Sequence, residues 1–251
     1  TIRTLPSYSD LAQGQVTIND INKLSIEDVL GRDPVKPDPK LMQYDITNKV
    51  VLVTGAGGSI GSEICKKIYY QTPKKIVLFD QNELGLYNIL EKLKKISIPD
   101  KKHVDVIPIL GSITNKVLFR NLIKKVKPET IFHAAAYKHV PIVEKNIFTG
   151  LKNNVFGTLV LAQLAVEEGV KKFILISSDK AVRPESIMGA SKRLAEMILQ
   201  ALAVKQTKTK FAIVRFGNVL NSSGSVVPLF ESQIKSGGPL TVTHRNISRY
   251  F

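Results

Sequence analysis

The stretch VVLVTGAGGSIG, Val50 to Gly61, joins an apolar, β-branched run to a cluster of glycines. The run predicts a buried strand over 50–54, and we predict a helix over about 60–71. Glycine suits the turn between them, because the backbone must bend tightly and let a pyrophosphate approach where a Cβ would obstruct it. The turn therefore predicts a dinucleotide site formed by Gly55, Gly57, Gly58, Ser59, Ile60 and Gly61, with a plain strand-to-helix turn as the alternative.

Strand and helix patterns alternate after this turn. Further strands are predicted over 75–80, 103–110, 130–135, 172–178 and 211–216, and further helices over 83–95, 115–126, 150–169 and 188–205. This rhythm predicts the α/β fold class, with a Rossmann-like, doubly wound parallel sheet covered by helices on both faces.

Asp80 ends the second predicted strand of this alternation. A carboxylate there can accept hydrogen bonds from the adenosine ribose hydroxyls, and it repels a 2′-phosphate. No arginine follows in Gln81-Asn82-Glu83, so the sequence favours NAD over NADP as the cofactor. A helix-capping role for Asp80 is the alternative.

The composition excludes several classes of protein. The chain has 251 residues, of which 43% are hydrophobic and 23% charged, as in an ordinary globular protein. Its net charge of +15 comes largely from lysine pairs on predicted helix faces. Without interleaved aromatic residues or zinc-ligand spacing, we predict no nucleic-acid partner and no metal site. No apolar run reaches the roughly 18 residues of a membrane span, no signal peptide pattern opens the chain, and a single cysteine, Cys65, fits a reducing cytoplasm.

Three regions are predicted along the chain. Residues 1–48 form an N-terminal extension or linker, in which Ser25 starts a short helix and the prolines of DPVKPDPK mark a boundary. Residues 49–216 form an NAD-binding Rossmann domain. Residues 217–251 form the start of a substrate-binding domain.

Five motifs give the chain a more specific resemblance. In chain order they are TGAGGSIGSE (54–63), FHAAAYKHVPIVE (132–144), NNVFGT (153–158), SSDKAVRPESIMGASKR (177–193) and RFGNVLNSSGSVVPLF (215–230). Together they resemble the CapD-like nucleotide-sugar 4,6-dehydratases, of the UDP-N-acetylglucosamine 4,6-dehydratase type, within the extended short-chain dehydrogenase/reductase family. IRTLPS (2–7) and LGRDPVKPD (30–38) are similar to the linker of the long, membrane-anchored members.

The resemblance implies a lyase that uses NAD to dehydrate a UDP-sugar to a 4-keto-6-deoxy product in bacterial polysaccharide or glycan biosynthesis. Such a reaction must deprotonate the C4 hydroxyl, remove the C5 proton and protonate the hydroxyl that leaves C6. By this resemblance Asp179 protonates the leaving hydroxyl, Lys180 removes the C5 proton, and Ser178 hydrogen-bonds the C4 oxygen.

Met188 occupies the position at which related short-chain dehydrogenases carry a catalytic tyrosine, four residues before Lys192. A thioether cannot transfer a proton, yet methionine at this position resembles the membrane-linked members. Lys192 is expected to keep its contact with the nicotinamide ribose. Asp179 acting twice and Tyr137 remain alternative bases for the C4 hydroxyl.

Other residues of the motifs are expected to bind ligands. Ala134 and Ala135 resemble the small residues that let NAD lie close to the chain. The expected substrate-binding residues are Lys138, His139, Asn154, Asn218 and Ser225. His133 is interpreted as a packed residue.

Alternatives to retaining dehydration are a C5-inverting dehydratase, a C4 epimerase, which Met188 disfavours, and a non-catalytic NAD-binding sensor or scaffold. Family habit suggests a homo-oligomer whose full-length form is anchored at the inner face of the bacterial membrane. THRNISRYF (243–251) resembles a mid-domain motif of relatives, so the substrate-binding domain is expected to continue beyond residue 251.

Overall fold

The computed structural model of the chain describes residues 3–4, 22–23, 35, 37–97, 103–219 and 226–242. Internal contacts divide the chain into two units, one running from Asp38 to Gly217 and the other combining Thr1–Pro37 with Asn218–Phe251. The domain boundaries predicted at residues 49 and 217 stay predictions. The helix predicted from Ser25 lies outside the described residues.

The described residues of the smaller unit include three regular elements. Strand β1 (Arg3–Thr4) pairs antiparallel with β2 (Asn22–Lys23). A ten-residue helix, Val226–Lys235, follows in the C-terminal part and is the last helix of the described residues.

Six strands of the larger unit form one sheet. They are β3 (Val50–Thr54), β4 (Lys75–Asp80), β5 (Asp105–Leu110), β6 (Thr130–His133), β7 (Lys172–Ile176) and β8 (Lys210–Val214). Their order across the sheet is β5-β4-β3-β6-β7-β8, and every neighbouring pair is parallel. Since parallel strands need crossover connections, helices lie between them in the chain. The predicted doubly wound, Rossmann-like fold class is confirmed.

The helices of the larger unit are α1 (Pro39–Tyr44), α2 (Ser59–Tyr70), α3 (Glu83–Lys94), α4 (Lys116–Val126), α5 (Val140–Lys145), α6 (Ile147–Leu151), α7 (Thr158–Glu167) and α8 (Ile187–Lys205). A π-helical turn, Lys152–Gly157, joins α6 to α7, and a 3-10 turn, Asp179–Ala181, precedes α8. Side-chain caps begin four of these helices, because Asp38, Asn82, Asn115 and Ser186 each accept a backbone N–H three residues on.

The central strands are buried on both faces, which is why their sequences are continuously apolar. Leu52 of β3 packs into a cluster with Phe119 and Leu161 from α4 and α7. Its neighbours Val51 and Val53 point to the other face and pack with Cys65 of α2 and with α3. The two clusters fix the helices that carry the functional residues against the sheet.

The structure differs from the sequence prediction in four places that matter for function. Helix α5 was not predicted, and the helix predicted over 150–169 is interrupted by the π-helical turn. The strands predicted over 130–135 and 172–178 end at His133 and Ile176, so the residues after them form loops at the carboxyl edge of the sheet.

The direction of winding reverses beside β3. The chain passes from β3 to β4 on one side and later returns to β6 on the other side. Loops that leave β3 and β6 therefore separate in opposite directions and open a crevice at the carboxyl edge, where doubly wound proteins bind ligands. No helix in the described part of the chain has the length and apolar character of a membrane span.

Candidate active site

The glycine turn after β3 lies against the loop after β6. Gly55 has a φ of +69°, and a Cβ added to it would lie 2.7 Å from the backbone of Ala134 and Ala135. A Cβ on Gly61 would lie 1.9 Å from the carbonyl oxygen of Gly55. These approaches leave no room for side chains, so the turn and the start of α2 present backbone to the crevice.

A cavity of about 370 Å³ occupies this crevice. All nine residues predicted to bind the cofactor at the turn and at the strand ends line it: Gly55, Gly57, Gly58, Ser59, Ile60, Gly61, Asp80, Ala134 and Ala135. Lys138 and His139, predicted to bind substrate, line it too. Tyr137, the alternative base for the C4 hydroxyl, lines the cavity as well, and so do Gln81 and Asn153.

The first turn of α2 suits an anionic group. Gly58 is its N-cap and makes no side-chain cap hydrogen bond. Gly58 and the first residues of the helix line the cavity. A helix N-terminus of this kind binds phosphate through its N–H groups and its dipole. Because Gly55 and Gly61 carry no side chains, backbone lines this part of the cavity, and the cavity fits the pyrophosphate of a dinucleotide.

Asp80 connects the end of β4 to the glycine turn. Its Oδ2 accepts the Gly57 N–H at 2.8 Å, and its Oδ1 accepts the Asn82 N–H at 2.9 Å. The helix cap itself is Asn82, whose side chain accepts the Gly85 N–H. A carboxylate has about four acceptor positions, so Asp80 holds the turn and keeps acceptor capacity for ribose hydroxyls.

Asn154 is a buried hub in the π-helical turn. It accepts the Tyr137 N–H at 2.8 Å and donates to the Tyr137 carbonyl and to Ser191 Oγ, both at 3.0 Å. The extra residue in the helical turn brings this amide between the loop after β6 and α8. Its hydrogen-bonding groups are used within the protein, where they hold the Tyr137 backbone of the cavity wall. Its assignment to substrate stays a prediction.

Tyr137 extends from the fixed loop toward β4. Gln81 Nε2 donates to its hydroxyl at 3.0 Å, across the carboxyl end of β3. This places the phenol on the side of Asp80 and away from β7.

The residues predicted to be catalytic lie at the end of β7, two strands from the glycine turn. Lys180 Nζ contacts Asp179 Oδ1 at 3.0 Å, and the side chains are 43% and 47% exposed. Ser178 Oγ donates to the same oxygen at 2.9 Å and accepts the Lys180 N–H at 3.2 Å. The three residues therefore form one hydrogen-bonded turn that solvent and small molecules reach.

The Asp179 carboxyl is held in its ionised form. Burial opposes ionisation, but the hydrogen bonds from Lys180 and Ser178 outweigh it and keep the pKa of Asp179 below its ordinary value. In the free protein Asp179 is thus a proton acceptor.

Met188 and Lys192 stand one turn apart at the start of α8 and are buried. Lys192 Nζ donates to the Ile176 carbonyl, at the end of β7, at 2.7 Å. Burial lowers the pKa of Lys192 to about 8, although Glu196 acts in the opposite direction. One donor of this ammonium is committed to the strand, and others remain for a ligand.

An ionic network centred on one buried carboxylate lies beneath this turn and was not predicted from the sequence. Glu196 of α8 is fully buried and accepts from Ser177 Oγ at 2.6 Å, from Arg215 Nε at 2.8 Å and from Arg193 at 3.2 Å. Arg215 first, and Ser177 and Arg193 after it, hold the pKa of Glu196 at about 2 against the effect of burial. The network joins β7, β8 and α8.

His133 is a packed residue, as interpreted from the sequence. Its Nδ1 is 2.7 Å from Thr54 Oγ1 and its Nε2 is 2.9 Å from Thr158 Oγ1. Burial, with Lys192 as the lesser cause, lowers its pKa to about 3. In the described ranges no group of histidine, cysteine, aspartate and glutamate side chains could hold a metal ion.

Two predicted substrate-binding residues lie elsewhere. Asn218 belongs to the smaller unit. Ser225 lies outside the described residues. Their assignment to substrate stays a prediction.

Comparisons with known proteins agree with this fold. Residues 51–251 match a family described as polysaccharide biosynthesis protein. The capsular polysaccharide biosynthesis protein CapD of Staphylococcus aureus is 46% identical over 247 residues, which are 98% of this chain and 41% of that protein. A UDP-N-acetylglucosamine 4,6-dehydratase (inverting) of Campylobacter jejuni is 31% identical over 207 residues, 81% of this chain and 59% of that protein.

A UDP-glucose 4-epimerase of Rickettsia akari is related to a similar degree, with 32% identity over 210 residues, 81% of this chain and 58% of that protein. Among solved structures, a double mutant of the dTDP-glucose 4,6-dehydratase DesIV from Streptomyces venezuelae, with NAD bound, has a TM-score of 0.63 and 23% identity. That likeness covers 76% of this chain and 63% of DesIV and concerns the fold. The chain spans less than two thirds of the length of each of these proteins. The family match and the CapD relative confirm the resemblance drawn from the motifs: this chain belongs to the polysaccharide biosynthesis protein family.

Proposed function

We propose that the protein uses NAD to remove water from a UDP-sugar, with UDP-N-acetylglucosamine as the substrate, and forms a 4-keto-6-deoxy sugar nucleotide. The observation that carries this proposal is the contact between Asp179 and Lys180, two proton-transfer groups 3.0 Å apart at the end of β7. They stand beside a buried Met188 where an epimerase or dehydrogenase would need its tyrosine. The relation to CapD and to a 4,6-dehydratase supports the same reaction class.

The cavity supports NAD as the cofactor. Its glycine-walled crevice, the first turn of α2, whose N-cap Gly58 makes no side-chain cap hydrogen bond, and the Asp80 carboxylate fit the pyrophosphate and the adenosine ribose. The buried Lys192 ammonium would bind the nicotinamide ribose. When bound, NAD would supply reversible redox chemistry, taking a hydride from sugar C4 and returning it to C6.

Asp179 is proposed to act twice. The carboxyl is ionised at rest, since its pKa is held below the ordinary value, so it has a free lone pair to accept the proton of the C4 hydroxyl while that carbon is oxidised. The same proton then passes from Asp179 to the C6 hydroxyl, which leaves as water. One side chain thereby takes over the transfer that a tyrosine performs in related dehydrogenases.

Lys180 is proposed to take the C5 proton as a neutral amine, and the new C4 ketone makes that proton acidic. As that proton leaves C5 and water leaves C6, a double bond forms between the two carbons. With a hydride that bound NAD would supply at C6, Lys180 would give a proton back to C5. The sum is the loss of one water, with Asp179, Lys180 and the cofactor restored.

Tyr137 is the weaker candidate for the C4 base. Its hydroxyl is bonded to Gln81 on the β4 side of the crevice, whereas the proton-transfer pair stands at β7. A C4 epimerase is the second candidate function, because an epimerase relative is as similar as the dehydratase. Met188 disfavours it, since C4 epimerases of this fold rely on tyrosine as their main acid/base.

The test is incubation of the protein with UDP-N-acetylglucosamine and NAD, followed by NMR of the sugar. We expect a 4-keto-6-deoxy product, and the configuration at C5 separates a retaining from an inverting dehydratase. A UDP-N-acetylgalactosamine product would instead support the epimerase. NAD binding without a change in the sugar would support the non-catalytic sensor or scaffold.

Two variants test the assigned roles. Asp179→Asn and Lys180→Ala are each expected to lower the dehydration rate by about 100-fold or more, because general acid–base groups contribute roughly 100- to 10,000-fold. Lys75–Asp105 is a matched control pair, an exposed ion pair of 3.3 Å at the amino ends of β4 and β5. Asp105→Asn and Lys75→Ala should leave the rate within twofold of the original. Normal rates in the Asp179 and Lys180 variants would remove the basis of the proposal.

The wider setting is proposed from the same family relationship. The longer protein is proposed to be anchored at the inner face of the bacterial membrane and to work as a homo-oligomer. Asn218 and Ser225 are proposed to contact the substrate.

A further inference from the structure

The backbone of the Asp179–Ala181 turn is anchored on the side of β8. The Asp179 N–H donates to the Phe216 carbonyl at 3.0 Å, and the Ala181 N–H donates to the Ser178 carbonyl at 3.2 Å. Ala181 is fully buried. These contacts limit how far the turn can move toward the sheet.

The opposite side of the turn touches α8 at Gly189. A Cβ added to Gly189 would lie 2.6 Å from the Lys180 carbonyl oxygen and 3.3 Å from Pro184 Cβ. Contacts below 3.0 Å essentially do not occur for real Cβ atoms, and a backbone carbonyl cannot rotate away as the end of a side chain can. Glycine at this position lets the helix and the turn approach to contact.

The start of α8 cannot easily yield to such a Cβ. Ser186 accepts the Gly189 N–H at 3.1 Å, and Glu144 of α5 accepts the Ile187 N–H at 2.7 Å. Ser191, one helical turn after Ile187, is hydrogen-bonded to the buried Asn154. The start of the helix is therefore held by α5 and by the π-helical turn, and added volume at Gly189 must displace the Asp179–Ala181 turn.

The backbone conformation of Gly189 allows the contact with Lys180 to be tested separately from backbone strain. The residue lies within a regular α-helix, where alanine is favoured over glycine by about 1 kcal/mol in the absence of other contacts. An alanine there meets no obstacle in its own backbone, and the obstacle it does meet is the backbone of Lys180.

We propose that Gly189 is a positioning residue: by bringing α8 into contact with the Lys180 backbone, it fixes where the Asp179 and Lys180 side chains stand relative to a bound sugar. The catalytic part of this inference rests on the proposed function, which gives the pair its role. The structural part of the inference, that Gly189 holds the Asp179–Ala181 turn in place, does not rest on the proposed function.

The variant is Gly189→Ala. We expect the rate constant kcat for dehydration to fall at least 30-fold, with KM for the UDP-sugar within threefold and Kd for NAD within twofold of the original. A displaced pair slows proton transfer, while the cofactor cavity, lined by other elements, keeps its shape. The control is Gly150→Ala, in helix α6, where the added Cβ would meet only the Val143 side chain, at 2.8 Å, and kcat should stay within threefold.

A second measurement does not depend on activity. Hydrogen exchange of the Asp179, Lys180 and Ala181 amides, followed by NMR, should be at least tenfold faster in Gly189→Ala and unchanged in Gly150→Ala. Unchanged exchange in Gly189→Ala overturns the proposal whatever the turnover. Faster exchange in Gly189→Ala together with a normal kcat overturns it as well. So does faster exchange together with a loss of NAD affinity as large as the loss of kcat.

The two proposals fail in different ways. If the original protein binds NAD but does not dehydrate the sugar, the proposed function fails. The amide exchange then decides by itself whether Gly189 holds the turn.

Discussion

Replacing Glu196 with glutamine removes the charge at the centre of the network that joins β7, β8 and α8. The carboxylate is fully buried, and its hydrogen bonds, led by those from Arg215, hold its pKa at about 2, below the ordinary value of 4.5. One pKa unit corresponds to roughly 1.4 kcal/mol. The ionised form therefore contributes about 3 kcal/mol to the folded state, and we expect Glu196→Gln to lower the free energy of unfolding at pH 7 by about this amount.

The sign of the pH dependence follows from the lowered pKa. The contribution is complete above the pKa of the unfolded chain, near 4.5, and is lost as the pH falls toward 2. Urea unfolding at several pH values, followed by circular dichroism, should show the difference between the original protein and Glu196→Gln shrinking below pH 4.5.

Glu167→Gln is the matched control for this experiment. Glu167 is 50% exposed and accepts a 3.0 Å hydrogen bond from Arg120, so the change should cost less than about 1 kcal/mol. Equal costs for the two variants would refute the reasoning. So would a cost of Glu196→Gln that is the same at pH 3 as at pH 7.

Two further predictions concern the crevice. Gly61→Ala should weaken NAD binding at least tenfold in a calorimetric titration, because the new Cβ would lie 1.9 Å from the Gly55 carbonyl oxygen. Gly58→Ala, whose new Cβ would lie 3.3 Å from the same oxygen, should weaken NAD binding less. Equal losses of affinity in the two variants would contradict this explanation. His133 should stay neutral between pH 8 and pH 5, because burial first and Lys192 second lower its pKa to about 3. The NMR signals of its ring should therefore not move in that range. A titration of the ring between pH 8 and pH 5 would show that it is accessible to water.

Most of the sheet could be predicted from local sequence, because a strand buried on both faces must be apolar along its whole length. Val50–Thr54 and Lys75–Asp80 have the predicted bounds for this reason. The residues following β6 and β7 are also uncharged and were predicted as strand continuations. They leave the sheet because the neighbouring strands end there, which is a property of the assembled sheet.

Site residues could be predicted from the sequence where their residue type has a single physical role at that point of the fold. Glycines in the turn and a carboxylate at the end of β4 line the crevice, as expected. Asn154 and Glu196 were not predictable in their roles, because each acts through partners distant in sequence. Asn154 serves Tyr137 and Ser191 from a π-helical turn, and Glu196, charged within a helix, gives no local sign that it is buried against Arg215.

The all-parallel sheet also has a consequence for experiments on this protein. Connections that enter the strands, such as those before Lys75, Thr130 and Lys172, lie at the rim opposite the crevice. Gly169 stands in one of them with a φ of +71° and open space around its α-carbon. A fluorophore or a short peptide tag attached at this far rim would leave the glycine turn and the Asp179–Ala181 turn as they are.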